Sequence, residues 1–485
     1  MNRINLHIIA RVIGFLLFVE AGALLLVALV PLLFKEPDYI YFILSAVITA
    51  AAGFALFLWG RGRKARDSFG KREGYLIVCL IWVVFSLFGV LPFWLSGSIP
   101  SFTDAFFETM SGFTTTGATA LTDVEALSHG MLFWRSLTLW MGGMGIIVLS
   151  AAILPMIGVG GMHISSTENA SVAVDKLSPR VAETARLLWG VYMFFTLALM
   201  ALLMWGGMSG FDAICHAFST LAAGGFSTKQ DGISFWHSAQ IEYTLIPFMF
   251  IAGCNFTLLY YFLRGRVSAV WKNEEFRTYL FILLGFSVII CAGLLLSGGF
   301  YGENAFRIAL FHTTSFITST GYTVGDFSLW HPFIITPLLL LMAMGASAGS
   351  TSSGIRIVRM MIAIKNLGVE FKRFLHPNAV LPVRLNGRAI APAIVSNVLV
   401  FIILYIVIFI VSVFVIACVD NIGMQESYSA ALGCLSNGGV GLGSISSTYA
   451  SVTDIGKWYL SFLMLAGRLE PFTILIIFTP VFWKK

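Results

Sequence analysis

The sequence Thr114-Thr115-Thr116-Gly117-Ala118-Thr119 is the most informative stretch of this chain. It is polar, contains a glycine and lies between two long apolar runs. Bilayer hydrocarbon offers no water to backbone groups outside a helix, so such a stretch persists only against protein or a water-filled cavity. Related stretches recur around Gly225, Gly321 and Gly439. We interpret the chain as four copies of one unit, each built around a glycine.

The surroundings of the four glycines support a duplication. Twelve positions before each glycine stands a small residue: Ala105, Ala213, Ala309 and Ser427. Each belongs to a short apolar run: Phe102–Phe113, Phe211–Ala222, Ala305–Ile317 and Glu426–Leu435. At about 1.5 Å per residue these runs cannot cross a bilayer, so we predict re-entrant half-helices. A fixed local offset within a looser long-range spacing is typical of a repeated unit.

The composition places the chain in a membrane. Of its 485 residues 58% are hydrophobic and 11% are charged, too few charges to cover a soluble protein of this length. Many apolar runs reach the roughly 20 residues of a membrane-spanning helix. The first run is too long for a cleavable signal, and the six cysteines form no CxxC pair, which argues against a disulfide framework. We predict an all-α polytopic membrane protein with about ten spans.

The predicted domains follow the repeats. Residues 1–66 form a two-helix hairpin without a glycine loop, with spans Leu6–Phe34 and Tyr39–Trp59. Four pore units follow: 67–175, 176–270, 271–375 and 376–485. Their predicted spans are Gly74–Leu95, Met131–Ile157, Ala185–Met208, Tyr243–Leu263, Tyr279–Leu296, Pro332–Ile364, Ala391–Cys418 and Trp458–Phe482. With two spans per unit, all four units have one orientation and can surround a single axis.

The charged loops predict the topology. The segments 61–72, 264–277 and 356–388 are rich in lysine and arginine, so we expect them on the cytoplasmic side together with both termini. We reject nucleic-acid binding, because basic loops beside spans are what topology alone predicts. The opposite loops carry acidic residues, which would mildly concentrate cations.

The four glycine loops have the chemistry of a cation filter. Backbone carbonyls can replace the water around a monovalent cation without trapping it. Aligning successive carbonyls demands positive φ angles, which glycine adopts at little cost. The partly negative C-terminal end of each half-helix also favours a cation. The predicted filter residues are Thr115, Thr116, Gly117, Ala223, Gly224, Gly225, Ser319, Thr320, Gly321, Asn437, Gly438 and Gly439. The hydroxyl and amide groups among them could add ligand oxygens.

A second polar stretch interrupts the last span of the third unit. Gly345–Gly354 consists of ten small or polar residues, which cannot form an ordinary lipid-facing helix. We predict an irregular loop in the cavity below the filter that acts as a gate; the alternative is small-residue helix packing. The predicted gate residues are Gly345, Gly349, Ser350, Thr351, Gly354 and Arg468. Arg468 lies deep in the last span and needs a partner, for which this loop and Glu470 are the candidates.

An enzymatic function is a weaker interpretation. The sequence Gly345–Gly349 matches the G-x-S-x-G nucleophile elbow around Ser347, which would suit an intramembrane hydrolase. The elbow requires a preceding strand, whereas a membrane span precedes it here. The only histidine after Ser347 is His376, in a basic loop. We therefore predict that the chain is not an enzyme.

Three titratable residues lie within apolar segments. Glu20 is an intramembrane carboxylate and so a functional candidate, although we favour a hydrogen bond to a neighbouring helix. His216 and His312 lie on two of the short helices. A metal site needs more ligands than the sequence supplies there, so we predict that both histidines form hydrogen bonds around the filter.

Several motifs resemble one transporter family. They begin at Thr114 (TTTGAT), Trp140 (WMGGMGIIVL), Ala152 (AILPMIGVGGM), Ser178 (SPRVAETAR), Phe211 (FDAICHAFST), Gly224 (GGFST), Cys254 (CNFTL), Phe374 (FLHPNAV) and Gly467 (GRLEPFT), and end with the C-terminal TPVFW. As a set they are similar to the Trk/Ktr/HKT superfamily of potassium transporters, in particular its bacterial TrkH/TrkG type. In related plant proteins a serine at the first filter position goes with sodium transport, so Gly117 implies potassium.

The resemblance implies a potassium uptake protein of the bacterial inner membrane with four membrane–pore–membrane units around one pore. It implies potassium contacts at Thr115, Thr116, Gly224, Thr320, Gly321, Asn437 and Gly438. It also implies a gate at Gly345–Gly354 with Arg468, a homodimer, and a cytosolic nucleotide-binding ring of the TrkA type. The potassium ion is then the cargo; no organic cofactor is expected on this chain, and the nucleotide belongs to the partner. The alternative is proton- or sodium-coupled symport, with Glu20, Asp104, Glu108 and Asp212 as candidate sites.

Overall fold

The structure is a computed structural model that describes residues 4–61, 70–148, 181–420 and 422–483. The described chain is almost entirely helical. Its strands form a two-stranded antiparallel hairpin, β1 (Arg384–Leu385) and β2 (Arg388–Ala389). The predicted all-α class is confirmed.

Three helices precede the first repeat: α1 (Leu6–Val27), α2 (Leu29–Leu33) and α3 (Tyr39–Trp59). The long helices α1 and α3 pack against each other through glycines. A Cβ atom on Gly14 would lie 2.6 Å from the carbonyl oxygen of Gly53, and one on Gly53 would lie 3.0 Å from the carbonyl oxygen of Gly14. Small residues of this kind let two helices approach closely within a bilayer. The hairpin therefore depends on the absence of two side chains.

The repeats contain the remaining helices. Unit 1 comprises α4 (Lys71–Gly89), α5 (Leu91–Ser96), α6 (Phe102–Phe113) and α7 (His129–Val148). Unit 2 comprises α8 (Val181–Trp205), α9 (Gly210–Ala222), α10 (Ala239–Ala252), α11 (Phe256–Leu263) and α12 (Val267–Lys272). Unit 3 comprises α13 (Glu274–Leu296), α14 (Gly302–Ile317), α15 (Pro332–Met344) and α16 (Ile357–Leu375). Unit 4 comprises α17 (Pro392–Val419), α18 (Met424–Leu435), α19 (Asp454–Leu469), α20 (Pro471–Phe478) and α21 (Pro480–Trp483).

The four short helices α6, α9, α14 and α18 lie close to their predicted bounds. The helix α6 begins and ends as predicted, and the other three begin one to three residues earlier. Side chains fix two of the starts, because Ser101 accepts a hydrogen bond from the Asp104 N–H and Ser209 from the Asp212 N–H. Such caps satisfy N–H groups that have no partner within the helix.

Two apolar cores surround the short helices. One joins units 2 and 3, and the other joins the N-terminal hairpin with units 1 and 4. Most residues of the short helices are buried. Each short helix is thus enclosed by longer helices, and its loop is directed inward.

Two predicted spans are wrong as single helices. Tyr243–Leu263 is divided into α10 and α11, which meet at an angle of 111°, and Trp458–Phe482 is divided at Glu470 with an angle of 114° between α19 and α20. At the first break the Asn255 side chain caps α11 by accepting a 2.8 Å hydrogen bond from the Thr257 N–H. At the second, Pro471 disfavours helical geometry at the residue before it, and Glu470 has φ 66°.

The number of spans also differs from the sequence prediction. Among the described residues, six helices are long and apolar enough to cross a membrane, or eight if each bent pair counts as one span. The other two predicted spans are less regular. Met131–Ile157 corresponds to α7, which contains Arg135 and ends near residues outside the described part. Pro332–Ile364 is divided into α15 and α16 by the polar loop.

We expect Gly14→Val to destabilise the protein by about 1–3 kcal/mol, because the new side chain forces α1 away from α3. The measurement is the thermal unfolding temperature of the detergent-purified protein. Gly22→Val is the matched control, since a Cβ there meets nothing within 4 Å. Equal unfolding temperatures for both variants would contradict glycine-mediated packing of the hairpin.

Candidate functional site

All four short helices end in the same backbone motif. After α6, the Thr115 N–H donates to Gly112 O at 2.9 Å and the Thr116 N–H donates to Ser111 O at 2.8 Å. The same pair of bonds follows the other helices, with donors Ala223 and Gly224, Ser319 and Thr320, and Asn437 and Gly438. This Schellman pattern satisfies carbonyls at the helix end and requires a left-handed residue.

The left-handed residue is not a glycine in any unit. It stands two positions before each filter glycine: Thr115 at φ 54°, Ala223 at 55°, Ser319 at 54° and Asn437 at 52°. The filter glycines themselves have φ 79°, 72°, 79° and 63°. Left-handed geometry is uncommon outside glycine and asparagine, and for a β-branched residue such as Thr115 it is an outlier. Such strain persists only where the surrounding structure enforces it.

The four loops meet in a closed ring. The carbonyl oxygen just before each filter glycine lies against the filter glycine of the preceding unit. A Cβ atom on Gly117 would lie 1.7 Å from Gly224 O, one on Gly225 2.1 Å from Thr320 O, one on Gly321 2.2 Å from Gly438 O, and one on Gly439 2.3 Å from Thr116 O. Real Cβ atoms essentially never come within 3.0 Å of such neighbours. The ring therefore brings the four loops together in sequence order and excludes a side chain at all four glycines.

The threonine and asparagine side chains of the filter stretches support the loops from behind. The Thr116 hydroxyl lies 2.9 Å from that of Thr114 and accepts a 2.9 Å hydrogen bond from Asn437 Nδ2. In unit 3 the hydroxyls of Thr318 and Thr320 are 2.7 Å apart. Protein groups thus occupy the hydroxyls of Thr116 and Thr320, which we predicted could be cation ligands. The Thr115 hydroxyl and Asn437 Oδ1, by contrast, are buried without a partner among the described residues.

A cavity of about 500 Å³ opens on one side of the ring. The four filter glycines and the residues that follow them line it. The wall of this cavity, the vestibule of the ring, carries Asp231, Asp326, Lys229 and Arg135. Both cations pair with other carboxylates, Lys229 with Glu125 and Arg135 with Glu108, so they do not neutralise Asp231 and Asp326.

Arg135 joins the vestibule sides of units 1 and 2. Its Nε donates to Glu108 at 2.7 Å, and its Nη1 donates to Ser227 O at 3.2 Å. The same guanidinium lies 4.1 Å from the centre of the Phe226 ring. Glu108 in turn accepts a 3.0 Å hydrogen bond from the Ala120 N–H. This buried pair fixes the backbone that follows two of the filter glycines.

The stretch Gly345–Gly354 lies on the opposite side of the ring. It is not helical, so the helix-packing alternative is wrong. The Ser353 N–H donates to the hydroxyl of Ser319, two positions before the unit 3 filter glycine, at 3.1 Å. The Thr351 hydroxyl donates to Leu221 O at 3.0 Å, at the end of α9. The loop thus touches filter stretches of two units from below.

The break between α10 and α11 holds the same loop. The Ser347 N–H donates to Gly253 O at 3.1 Å, and the Phe256 N–H donates to Gly349 O at 3.1 Å. Ser350 and Thr351 are buried. The ends of the loop meet as well, since a Cβ on Gly345 would lie 2.0 Å from Ser353 O, and Gly354 packs against Gly345. The broken span therefore supplies backbone groups to which the loop is attached.

Arg468 fastens the loop from unit 4. Its Nη1 donates to Thr351 O at 2.7 Å and to the Ser353 hydroxyl at 3.1 Å, and its Nη2 donates to Gly142 O at 3.4 Å. It is 2% exposed. Among the described residues no carboxylate lies within ion-pair distance of it, so its charge faces only neutral acceptors.

Of the two partners predicted for Arg468, the loop is right and Glu470 is wrong. Glu470 pairs with Arg359 at 2.7 Å and with Arg356 at 3.6 Å. Both arginines follow the loop in the chain, so these ion pairs tie units 3 and 4 together beside it.

Comparisons with known proteins agree with this arrangement. The TrkH family model, described as cation transport protein, matches residues 42–485. The Trk system potassium uptake protein TrkH of Salmonella typhimurium is 38% identical over 98% of this chain and 99% of its own length. The TrkG protein of the same system in Escherichia coli is 31% identical over the full length of both chains. The crystal structure of the potassium transporter TrkH from Vibrio parahaemolyticus matches with a TM-score of 0.90 and 36% identity over 99% of both chains.

The chain belongs to the TrkH family. It is accordingly a multi-pass membrane transport protein and not an enzyme. Ser347, the serine of the G-x-S-x-G match, is a buried loop residue whose carbonyl oxygen accepts a 2.6 Å hydrogen bond from the Ser350 hydroxyl.

The two buried histidines of this TrkH-family chain lie where the sequence predicted. His216 bonds to Asp212 O at 2.8 Å and to the Ser227 hydroxyl at 3.0 Å. His312 bonds to Ile308 O at 2.9 Å and accepts a 3.2 Å hydrogen bond from the Val324 N–H. Each links a short helix to the segment after its filter glycine. The described residues contain no group of three metal-ligating side chains.

The candidate coupling carboxylates have different surroundings. Glu108 is paired with Arg135, and Asp104 with Lys457 at 2.6 Å. Asp212 accepts hydrogen bonds from Ser209 and Thr228. Glu20 corrects our expectation, because it is fully buried and neither of its oxygens has a partner among the described residues. Its side chain faces Gly89, which has no side chain to offer.

Sequence reasoning missed three features of the site. The left-handed residues before the glycines carry no residue-type signal, apart from Asn437. The pair of Glu108 and Arg135 joins positions 27 residues apart that no motif connects. The broken spans had usable signals, because Asn255 is a helix-capping residue and Pro471 follows Glu470.

Proposed function

We propose that this chain takes up potassium through the ring of four loops. The closed alternation of four glycines with four backbone carbonyls carries the proposal. Oxygens without net charge can replace the water around a monovalent cation and still release it. Relatives named as potassium uptake proteins over nearly the full length of the chain support potassium as the cargo.

The ion would lose its hydration water on the vestibule side of the ring and then enter the ring. Its contacts would be backbone oxygens of Thr115, Thr116, Gly224, Thr320, Gly321, Asn437 and Gly438. The side chains of Thr116 and Asn437 would hold the loops open from behind, since they bond to each other. The helix ends that point at the ring would add partial negative charge.

Below the ring, the loop Gly345–Gly354 would act as the gate. Its hydrogen bonds to Ser319, to the break after α10 and to Arg468 support a closed position in this structure. The positive charge of Arg468 would oppose a cation that has passed the ring. Opening requires the loop to exchange these bonds for others, because leaving buried polar groups unpaired is costly.

The cellular setting follows from the family resemblance and the basic segments. We propose a bacterial inner-membrane location with both termini in the cytoplasm, a homodimer, and control by a cytosolic nucleotide-binding ring of the TrkA type. The TrkA-type partner would dock on the basic segments 264–277 and 356–388, and the nucleotide would bind to that partner rather than to this chain.

The test is potassium flux into liposomes that contain the purified chain, with a potassium gradient as the only driving force. We expect saturable uptake that favours potassium over sodium. Uptake that begins only after a proton or sodium gradient is imposed would replace this mechanism with coupled symport.

We expect Gly117→Ser to reduce the preference for potassium over sodium by about tenfold or more, the effect of about 1.4 kcal/mol in relative affinity. The new side chain would collide with Gly224 O and widen the ring. The readout is the flux ratio in the same liposomes. Gly97→Ser is the matched control, because Gly97 also has φ 72° but has no neighbour within 4 Å. An unchanged ratio in Gly117→Ser would refute the filter.

We expect Arg468→Ala to raise basal potassium flux several-fold, since it removes both a buried charge and two bonds to the loop. Arg373→Ala is the control, because that arginine is exposed, forms an ion pair with Glu370 on its own helix and donates to Leu381 O, and has no bond to the loop Gly345–Gly354. Equal or lower flux from correctly folded Arg468→Ala protein would argue against the gate.

A further inference from the structure

A buried carboxylate bonds to the gate loop at Ala348. Glu275, at the start of α13, accepts a 2.6 Å hydrogen bond from the Ala348 N–H through Oε1. Glu275 is 5% exposed. A buried N–H that loses such an acceptor is left unpaired, which is costly. The bond therefore fixes the loop at a point that neither Arg468 nor Ser319 reaches.

The first turns of α13, which carry Glu275, pack closely against the end of α10. One turn further along α13, the Tyr279 ring stacks on Phe250 at 4.8 Å, and its hydroxyl donates to Phe250 O at 3.3 Å. A Cβ on Gly253 would lie 2.5 Å from the Tyr279 hydroxyl oxygen. The first turns of α13 thus pack against the same break that holds the loop.

The preceding residue in the chain, Glu274, connects this point to the protein surface. The Glu274 carboxylate pairs with Lys365 of α16, and the Glu274 N–H donates to Asn386 Oδ1 at 2.8 Å. Lys365 Nζ also donates to Arg384 O at 3.0 Å. Asn386 lies in the tight turn between β1 and β2, with φ 49°. A continuous set of bonds therefore runs from the β-hairpin through the start of α13 to the gate loop.

We propose that Glu275 is a positioning residue that keeps the gate loop closed, and that the β-hairpin Arg384–Ala389 sets its position. A force on the hairpin would pull Asn386 and Lys365, move the first turn of α13 and withdraw Glu275 from Ala348. This inference rests on the proposed gate but not on the proposed filter.

The charges around Glu275 are consistent with this role. Arg356 is the cationic group that interacts with it from the gate-loop side, and Arg356 is itself paired with Glu470. Removing the carboxylate would leave the Ala348 N–H buried without its acceptor and would leave the hairpin contacts of Glu274 in place.

The experiment measures two quantities in liposomes: potassium flux, and the rate at which a cytoplasmic-side thiol reagent modifies Ser350→Cys. Ser350 is 2% exposed in the closed loop. We expect Glu275→Ala to increase both by about tenfold, as loss of a buried hydrogen bond implies. The potassium-to-sodium flux ratio should not change, which separates release of the gate from general loss of structure.

Three further variants sharpen the result. Glu275→Gln keeps an acceptor oxygen without its charge and should give an intermediate rate, and it serves if Glu275→Ala does not fold. Asn386→Ala should act in the same direction and should add nothing to Glu275→Ala, because both lie on one route. Glu303→Ala is the matched control, since that carboxylate is exposed and pairs only with Arg307 and Tyr243.

The outcomes are distinguishable. If Arg468→Ala raises flux and neither Glu275 variant changes flux or the modification rate, the gate stands and the role of Glu275 is refuted. If none of the three changes either quantity, the gate proposal itself fails. Additive effects of Asn386→Ala and Glu275→Ala would refute the route through the hairpin.

Discussion

The rest of this structure depends on the contact between each filter glycine and a carbonyl oxygen of the next unit. Four such contacts close a ring only if the four loops arrive at the same height and with the same backbone path. The paired bonds at each helix end produce that path, and they force Thr115, Ala223 and Ser319 into left-handed geometry. The two apolar cores and the buried pair of Arg135 and Glu108 supply the rigid support that such backbone needs.

The side of the ring that faces the loop Gly345–Gly354 has a different distribution of charge from the vestibule side. Above the ring Glu108 neutralises Arg135 and Glu125 pairs with Lys229, while Asp231 and Asp326 have no ion-pair partner among the described residues. Below it Arg468 bonds only to neutral oxygens, while Glu470 is shared by Arg356 and Arg359. The excess of positive charge lies on the side of the ring that faces the loop Gly345–Gly354. Attraction and repulsion are thus separated by the thickness of a single ring of loops.

Much of this architecture was predictable from the sequence because it repeats. The fixed offset between small residue and glycine located all four short helices to within three residues, and the polar run identified Gly345–Gly354. Features made by contacts between distant residues were not predictable. The pair of Glu108 and Arg135, the bonds from Glu274 to Asn386 and Lys365, and the isolated Glu20 depend on tertiary packing that no local pattern encodes. The bends at Asn255 and Glu470 were partly predictable. A helix-capping residue and a proline mark them, but both stand within apolar runs that otherwise read as continuous spans.

The loop Gly345–Gly354 has a consequence for the stoichiometry of the pore. It reaches under the ring and touches filter stretches of units 2 and 3 while Arg468 of unit 4 holds it. Four identical subunits would have to place four such loops in the same space, and they would collide. In the proposed pore, a loop in this position can exist only once. Joining four related units in one chain breaks the rotational symmetry, so that unit 3 alone carries the loop while units 2 and 4 bond to it.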